Sequence, residues 1–181
     1  MIEALTYKHM LDHIKKSDLV EDTVGILITR PSLATGKDIL GELEYYHHLT
    51  GNRINFYLPG YGAYWNTEKY PDMKVVTEID RTKWSFSNKA FVAFINALEE
   101  VSRWKYSGES ELLLIPYYDE KLDFSNVAAF CLDVMLKDEA ISSVSRFITD
   151  LSRIAKRNNA VKSIAVNGAA KCVTKKLYKR R

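Results

Sequence analysis

Residues 24–29 (VGILIT) form a short, continuous apolar run that is rich in β-branched residues and is followed at once by Arg30-Pro31. A run of this length and composition, closed by a proline, is typical of a strand that is buried on both faces of a sheet. We therefore predict a central strand here. A polar loop over residues 30–37 should follow it.

The segment after this strand has helical periodicity. Thr35, with Asp38 three residues on, resembles a capping box, and apolar residues then recur at helical spacing as far as Thr50. Residues 53–58 (RINFYL) predict a second strand. Residues 24–58 thus have the proportions of a βαβ unit, which implies at least one pair of parallel strands.

The rest of the chain continues the alternation of helices and strands. Periodicity and turn residues predict helices over residues 2–16, 87–107 and 141–156, strands over 112–115 and 126–136, and an edge strand over 74–79. The predicted fold class is α/β, with a three-layer, mostly parallel sheet and helices on both faces. Without repeats or linker-like stretches, residues 1–181 are predicted to form one domain, which ends in a basic C-terminal tail over 171–181.

Charge is distributed unevenly along the chain. Of the 26 basic residues, six lie in residues 171–181 with no acid, so the remaining 20 face 23 acidic residues and the body carries −3. Such a tail can neutralise phosphates of nucleic acid in a salt-dependent way, or it can serve only solubility. The candidate nucleic-acid contacts are Lys175, Lys176, Lys179 and Arg180.

Composition also predicts a compartment. No stretch approaches the ~20 apolar residues that cross a bilayer, and charged residues interrupt the first sixteen positions. Cys131 and Cys172 lie apart, with no second cysteine or histidine at metal-ligand spacing near either. We therefore predict a cytoplasmic protein with free thiols and with neither a membrane segment, a metal site nor a cofactor.

The loop after the first predicted strand is the first candidate binding site. It offers Arg30, Ser32, Thr35 and Lys37 together with backbone N–H groups at the start of a helix. Groups of this kind hold phosphates and carboxylates, and ligands of α/β sheets usually bind at the carboxyl ends of strands. The alternative is a loop that only shapes a turn and caps a helix.

The loop after the second predicted strand, residues 60–65, is the second candidate. Tyr61 and Trp65 stand beside two glycines, a mixture suited to stacking on a planar ring such as a nucleobase. Alternatively, these aromatic residues pack on the core or form a protein interface.

Two residues are candidate catalytic groups. His47 lies near the end of the predicted crossover helix, where Glu44 and Tyr46 could join it in an acid-base cluster, although it could equally be a packed core residue. Glu109 follows an aromatic segment and precedes a buried strand, so its pKa could be raised for acid-base or nucleophilic chemistry, unless it is a solvated loop carboxylate. Only an antiparallel strand at 112–115 would bring Glu109 to the same side as the two loops.

The order of a buried strand with a polar loop, a tyrosine-rich helix, and a strand with a glycine-aromatic loop resembles small nucleotide-handling α/β domains over residues 24–115. The nucleoside deoxyribosyltransferase and TIR groups are examples, and no catalytic residue is carried across. We predict a domain that binds an anionic nucleotide-like molecule at loops 30–37 and 60–65, with processing of that molecule left open. The alternative is a non-enzymatic assembly module, which could be a homo-oligomer, with aromatics of 61–70 and 84 at a protein interface and the tail on nucleic acid.

Overall fold

The computed structural model describes residues 2–4, 6–17, 21–50, 54–64 and 66–158. Strands and helices alternate along these residues, so the mixed α and β character predicted from the sequence is confirmed. The elements are β1 (Ile2–Ala4), α1 (Tyr7–Lys16), β2 (Glu21–Ile28), α2 (Ala34–Gly41), α3 (Leu43–Thr50), β3 (Asn55–Pro59), β4 (Tyr61–Gly62), β5 (Lys74–Ile79), β6 (Thr82–Phe86), α4 (Asn88–Val101), β7 (Glu111–Tyr118), β8 (Lys121–Leu122), β9 (Ala128–Cys131), α5 (Leu132–Lys137) and α6 (Val144–Asn158).

The large sheet has the order β1-β3-β2-β7, with β8 and β9 both paired to the far side of β7. β3 is parallel to both β1 and β2, which confirms the parallel pair of the predicted βαβ unit. β7, however, runs antiparallel to β2 along its whole length, and β8 and β9 run antiparallel to β7. The prediction of a mostly parallel sheet is therefore wrong, because strand periodicity does not encode strand direction. The sheet is mixed.

β2 lies inside the large sheet, between β3 and β7, as predicted. Val24, Ile26 and Ile28 enter a buried cluster that includes side chains of α1 and α4. Leu27 points to the opposite face, into a second cluster with side chains of α2, α3 and α6. All four are fully buried, since successive strand residues alternate between two covered faces.

A smaller antiparallel sheet has the order β4-β6-β5. The predicted edge strand is confirmed as β5, whereas β6 and β4 were not predicted. A two-residue turn joins β5 to β6, and both of its residues, Asp80 and Arg81, have positive φ (47° and 64°). The turn between β7 and β8 has the same character at Asp119 and Glu120. Positive φ at both central residues is the signature of a type I′ hairpin turn.

The observed helix boundaries depend on which side chains form hydrogen bonds at the helix N-termini, and some of them differ from the predictions. Thr6 caps α1 by accepting from the His9 N–H at 3.0 Å, so the helix begins at Tyr7 and residues 2–4 are left to form β1. Ser87 caps α4 as predicted and accepts from the Ala90 N–H at 3.1 Å. The Thr35 capping box is wrong: α2 begins after Leu33 without a side-chain cap.

The crossover and the segment near residue 130 also depart from prediction. The crossover consists of two helices, α2 and α3, instead of one. Residues 126–136, predicted as a strand, divide into β9 and the short helix α5. Within the described ranges, no helix is both long and apolar enough to cross a membrane. Cys131 is a free thiol, while Cys172 and the basic tail lie outside the described residues.

Candidate functional site

Polar residues converge where β2 ends and β7 begins. Because the two strands are antiparallel, Glu111 at the start of β7 pairs with Ile28 at the end of β2. The segment that precedes β7 therefore lies beside the loop that follows β2. Glu109 belongs to this segment, so the antiparallel strand brings it to the same side of the sheet as that loop. We call this region the strand-end cluster, and it comprises Thr29, Arg30, Tyr106, Glu109, Ser110, Glu111, Cys131 and Asp133.

A buried network of hydrogen bonds forms the base of the cluster. Thr29 Oγ1 and Ser110 Oγ lie 2.8 Å apart, and the Tyr61 hydroxyl donates to the Thr29 carbonyl at 3.1 Å. Asp133 accepts from the Thr35 hydroxyl at 2.6 Å and from the Ser110 N–H at 2.5 Å, one bond on each carboxylate oxygen. Thr35 thus links α2 to α5 instead of capping its own helix.

Gly36 allows α2 to begin directly against the end of β2. A Cβ atom at this position would lie 2.0 Å from the Arg30 carbonyl oxygen and 2.8 Å from Thr29 Oγ1. Only a residue without a side chain permits this approach. The first turn of α2 is therefore fixed against the residues that carry the cluster.

Glu111 is the most enclosed carboxylate of the cluster, with 4% of its surface exposed. It accepts from Trp104 Nε1 at 2.8 Å and from the Ser107 N–H at 2.9 Å, and the Ser107 hydroxyl also donates to it. These bonds tie the segment before β7 to the start of the strand. Glu109, and not Glu111, is the candidate catalytic carboxylate predicted from the sequence. The sequence signal that could have identified Glu111 is its position directly before the buried run 112–115.

Arg30 is the cation of the cluster and lies over aromatic rings. Its guanidinium carbon is 4.8 Å from the centre of the Phe91 ring and 5.9 Å from that of Tyr106. Among the described residues, no ion pair includes Arg30, and its buried Nε has no hydrogen-bond partner. Burial raises the pKa of Tyr106, and the nearby charge of Arg30 opposes that rise.

Glu109 and Cys131 form a pair at the same end of the sheet. The thiol of Cys131 donates to Glu109 Oε2, with 2.8 Å between sulfur and oxygen. Burial and this bond to the carboxylate raise the pKa of Cys131 to about 12. The thiol therefore stays protonated at neutral pH and is not a nucleophile. Glu109 is half-buried, so its carboxylate is still reachable from solvent.

The other predicted ligand-binding residues differ in their exposure to solvent. Ser32 lies two residues after Arg30, Lys37 lies on α2, and both are exposed. Their roles in ligand binding stay predictions. Tyr61 is 0% exposed and packs on Phe86, with 4.8 Å between ring centres, so it lies beneath the cluster and offers no face to a ligand. Trp65 lies outside the described residues, as do Lys175, Lys176, Lys179 and Arg180.

His47, predicted as a catalytic partner of the loops, lies elsewhere. The α2 and α3 helices carry the chain from the carboxyl end of β2 back to the amino end of β3, and His47 is on α3 near the end of this crossover. Its Nε2 atom is 4.0 Å from the Asp80 carboxylate, in the turn between β5 and β6. The two candidate catalytic residues, His47 and Glu109, therefore belong to different regions of the molecule.

The aromatic surface predicted for a protein partner is largely internal. Tyr70 and Trp84 are each 7% exposed and belong to the core. Tyr64 is 83% exposed and is the one described residue of that predicted surface with a freely accessible ring.

Comparison of the chain with protein-family models, with curated proteins and with solved structures finds no match in any of the three. The likeness in element order to the nucleoside deoxyribosyltransferase and TIR groups therefore stays a prediction. The chemistry of the strand-end cluster is the basis on which a function can be proposed.

Proposed function

We propose that the chain binds an anionic, ring-containing small molecule of the nucleotide class at the strand-end cluster, with Arg30 as the anion-binding group. The observation that carries the proposal is the guanidinium of Arg30, which has no ion-pair partner among the described residues and a buried Nε without an acceptor. The planar guanidinium fork matches the oxygens of phosphate and carboxylate groups. Arg30 is half-buried, so an anionic ligand would pair with the accessible part of its guanidinium.

The position of Arg30 supports an anion at this point. A hydrogen bond to a charged group contributes about 1.5–3 kcal/mol, so a ligand that pairs with the half-buried guanidinium gains an interaction for which the described residues offer no ion-pair partner. Arg30 lies where β2 ends and α2 begins, and the first N–H groups of a helix have no partners within the helix. Lys37, exposed on the same helix, adds a second positive charge.

The surrounding groups favour a ligand that also carries hydrogen-bond donors. Glu109 is a half-buried carboxylate, which can accept from sugar hydroxyls or an amino group. Tyr106, half-buried beside Arg30, is the aromatic ring best placed to contact the ring of a ligand. A nucleotide meets all three requirements, whereas inorganic phosphate meets only the first.

Any processing of the ligand would use Glu109. Among the described side chains of the cluster, both oxygens of Glu111 and of Asp133 already accept hydrogen bonds from the protein. Glu109 accepts through one oxygen from Cys131, which orients it and leaves its other oxygen for a proton transfer. A general acid or base at Glu109 is therefore the chemistry that we attach to this proposal.

Calorimetric titration of the full-length protein with AMP, ADP and inorganic phosphate tests the proposal. We expect the nucleotides to bind more tightly than phosphate, and Arg30→Gln to weaken nucleotide binding by about 10- to 100-fold, because a charged hydrogen-bonding partner is lost. Arg153→Gln is the matched control: its guanidinium is exposed on α6, 3.4 Å from Asp150, and should leave binding unchanged. Equal binding by Arg30→Gln and wild type, with both folded, would refute the proposal.

The alternative function is an assembly module whose basic tail, residues 171–181, contacts nucleic acid. Deletion of residues 171–181 separates the two proposals. If nucleic-acid retention is lost while nucleotide binding persists, the tail has a role of its own. If nucleotide binding is lost with the tail, the strand-end cluster is not the binding site.

A further inference from the structure

A second group of chemically active side chains lies between α3 and the turn that joins β5 to β6. Glu44 and His48 are one helical turn apart on α3, so they share a face of the helix. His48 Nε2 is 3.1 Å from Asp80 Oδ1, and the Asp80 N–H donates to Glu44 Oε1 at 3.3 Å. The nearest ligand atoms of Glu44, His48 and Asp80 all lie within 4.8 Å of one another. We call these three residues the helix–turn cluster.

His47 extends this group. Its Nε2 atom is 4.0 Å from the second oxygen of Asp80, and the rings of His47 and His48 meet edge to face with 5.4 Å between centres. Adjacent helical residues diverge by about 100°, and the two imidazoles approach different oxygens of the Asp80 carboxylate. His47 thus borders the cluster through Asp80, while the group whose ligand atoms all lie within 4.8 Å of one another consists of Glu44, His48 and Asp80.

We infer that the helix–turn cluster binds a divalent transition-metal ion, with Zn²⁺ as the best match. One imidazole nitrogen and two carboxylate oxygens are ligands that zinc accepts, with water in the fourth position. Ligands of tetrahedral zinc at bond lengths of about 2.0–2.1 Å stand about 3.3 Å apart. The 3.1 Å between His48 and Asp80 is already close to that separation, and Glu44 is free to adjust because it is exposed.

The charge and the ligand types select among metals. Two carboxylates with neutral imidazoles carry −2, which a divalent ion neutralises. Mg²⁺ and Ca²⁺ prefer shells made only of oxygen, whereas imidazole favours zinc and its neighbours in the first transition row. A bound ion would connect α3 to a turn 32 residues further along the chain. Its role would be to hold the small sheet against the crossover helices.

Calorimetric titration of the full-length protein without an affinity tag, using ZnCl₂ and in parallel MgCl₂, tests the inference. We expect one Zn²⁺ per chain and no comparable heat with Mg²⁺. His48→Gln and Asp80→Asn should each weaken zinc binding by roughly ten-fold or more, because each removes a direct ligand. Asn tolerates the positive φ of 47° at position 80, so Asp80→Asn keeps the turn intact.

His9→Gln is the matched control, because His9 is an exposed histidine on α1 outside the cluster and should bind zinc as the wild type does. A zinc-dependent rise in Tm that is present in wild type and His9→Gln and lost in Asp80→Asn would confirm the site. Zinc binding that is unchanged in His48→Gln and Asp80→Asn, or absent in wild type, would overturn the inference. A thiolate-to-metal charge-transfer band with Co²⁺ would likewise overturn it by placing the ion at a cysteine.

Discussion

The strand-end cluster and the helix–turn cluster contain similar residue types in opposite environments. At the end of β2, Glu111 is buried and Asp133 is half-buried, and each accepts hydrogen bonds on both oxygens from the protein itself. Beside α3, the side chains of His48 and Asp80 are 60% and 56% exposed. Polar groups that satisfy one another in the interior maintain the fold, whereas exposed groups cost little to change and remain available to an ion.

The largest contrast should come from Glu111→Ala and Asp80→Asn. We expect Glu111→Ala to lower the free energy of unfolding by about 3 kcal/mol, because the Trp104 and Ser107 donors lose their acceptor inside the protein. Asp80→Asn, measured without metal, should cost less than about 0.5 kcal/mol, since exposed ion pairs contribute little. Urea denaturation measures both. Similar losses from the two substitutions would break the distinction between the clusters.

The packing of α2 against the strand-end cluster predicts a difference between two glycines of one helix. Gly36→Ala should destabilise the protein by about 2–3 kcal/mol, because its Cβ would lie 2.0 Å from the Arg30 carbonyl oxygen. Gly41→Ala meets no atom within 4 Å and should stabilise it by about 0.5 kcal/mol through the lower entropy of the unfolded chain. Thermal unfolding of the two variants should shift Tm in opposite directions. A neutral Gly36→Ala would mean that α2 is not held closely against β2.

The pair formed by Glu109 and Cys131 can be followed through thiol reactivity. The pKa of Cys131 is raised to about 12 by burial and by its bond to Glu109, so alkylation by iodoacetamide at pH 8–9 should be slow in the folded protein. Glu109→Gln removes the negative charge, which should lower the pKa of Cys131 and accelerate its alkylation. Peptide mapping by mass spectrometry isolates Cys131 from Cys172. An unchanged rate would show that the two side chains do not interact in solution.

The smallest effect should come from the hairpin turn between β7 and β8, which lies outside both clusters. Glu120 has a positive φ of 59°, which L side chains adopt at a cost. Glu120→Gly creates the Asp-Gly pair that type I′ turns favour, and should stabilise the protein by about 0.5 kcal/mol. Glu120→Ala, which keeps a Cβ atom, is the control and should not stabilise it. If both variants have the same Tm, the turn geometry is different.

The sequence predicts those parts of the fold whose signals are local. The buried run at 24–29 identified β2, and Ser87 marked the start of α4 through its hydroxyl. The direction of β7 could not be predicted, because an apolar strand has the same periodicity in either direction. This one unknown decided whether Glu109 lies at the same end of the sheet as the loop that carries Arg30.

Candidate site residues can be proposed from the sequence where chemistry and chain position coincide, and not where tertiary packing decides. Arg30 follows a buried strand, and that placement alone made it a candidate. Tyr61 is an aromatic residue beside glycines, as in many ligand-binding loops, but it begins β4 and its ring is buried in the core. Glu44 and His48 are four residues apart on one helix and can be paired from the sequence, but Asp80 comes from a distant segment, so only the fold shows the cluster of three.

The most direct test of the central claim is an NMR titration with ADP that follows the Nε–H resonance of Arg30. If the guanidinium binds the anion, this resonance should shift and saturate with added ADP, together with the backbone amides of Tyr106, Glu109 and Ser110. If ADP moves only resonances of residues 171–181, or leaves the Arg30 Nε–H unchanged at saturation, the strand-end cluster is not an anion-binding site.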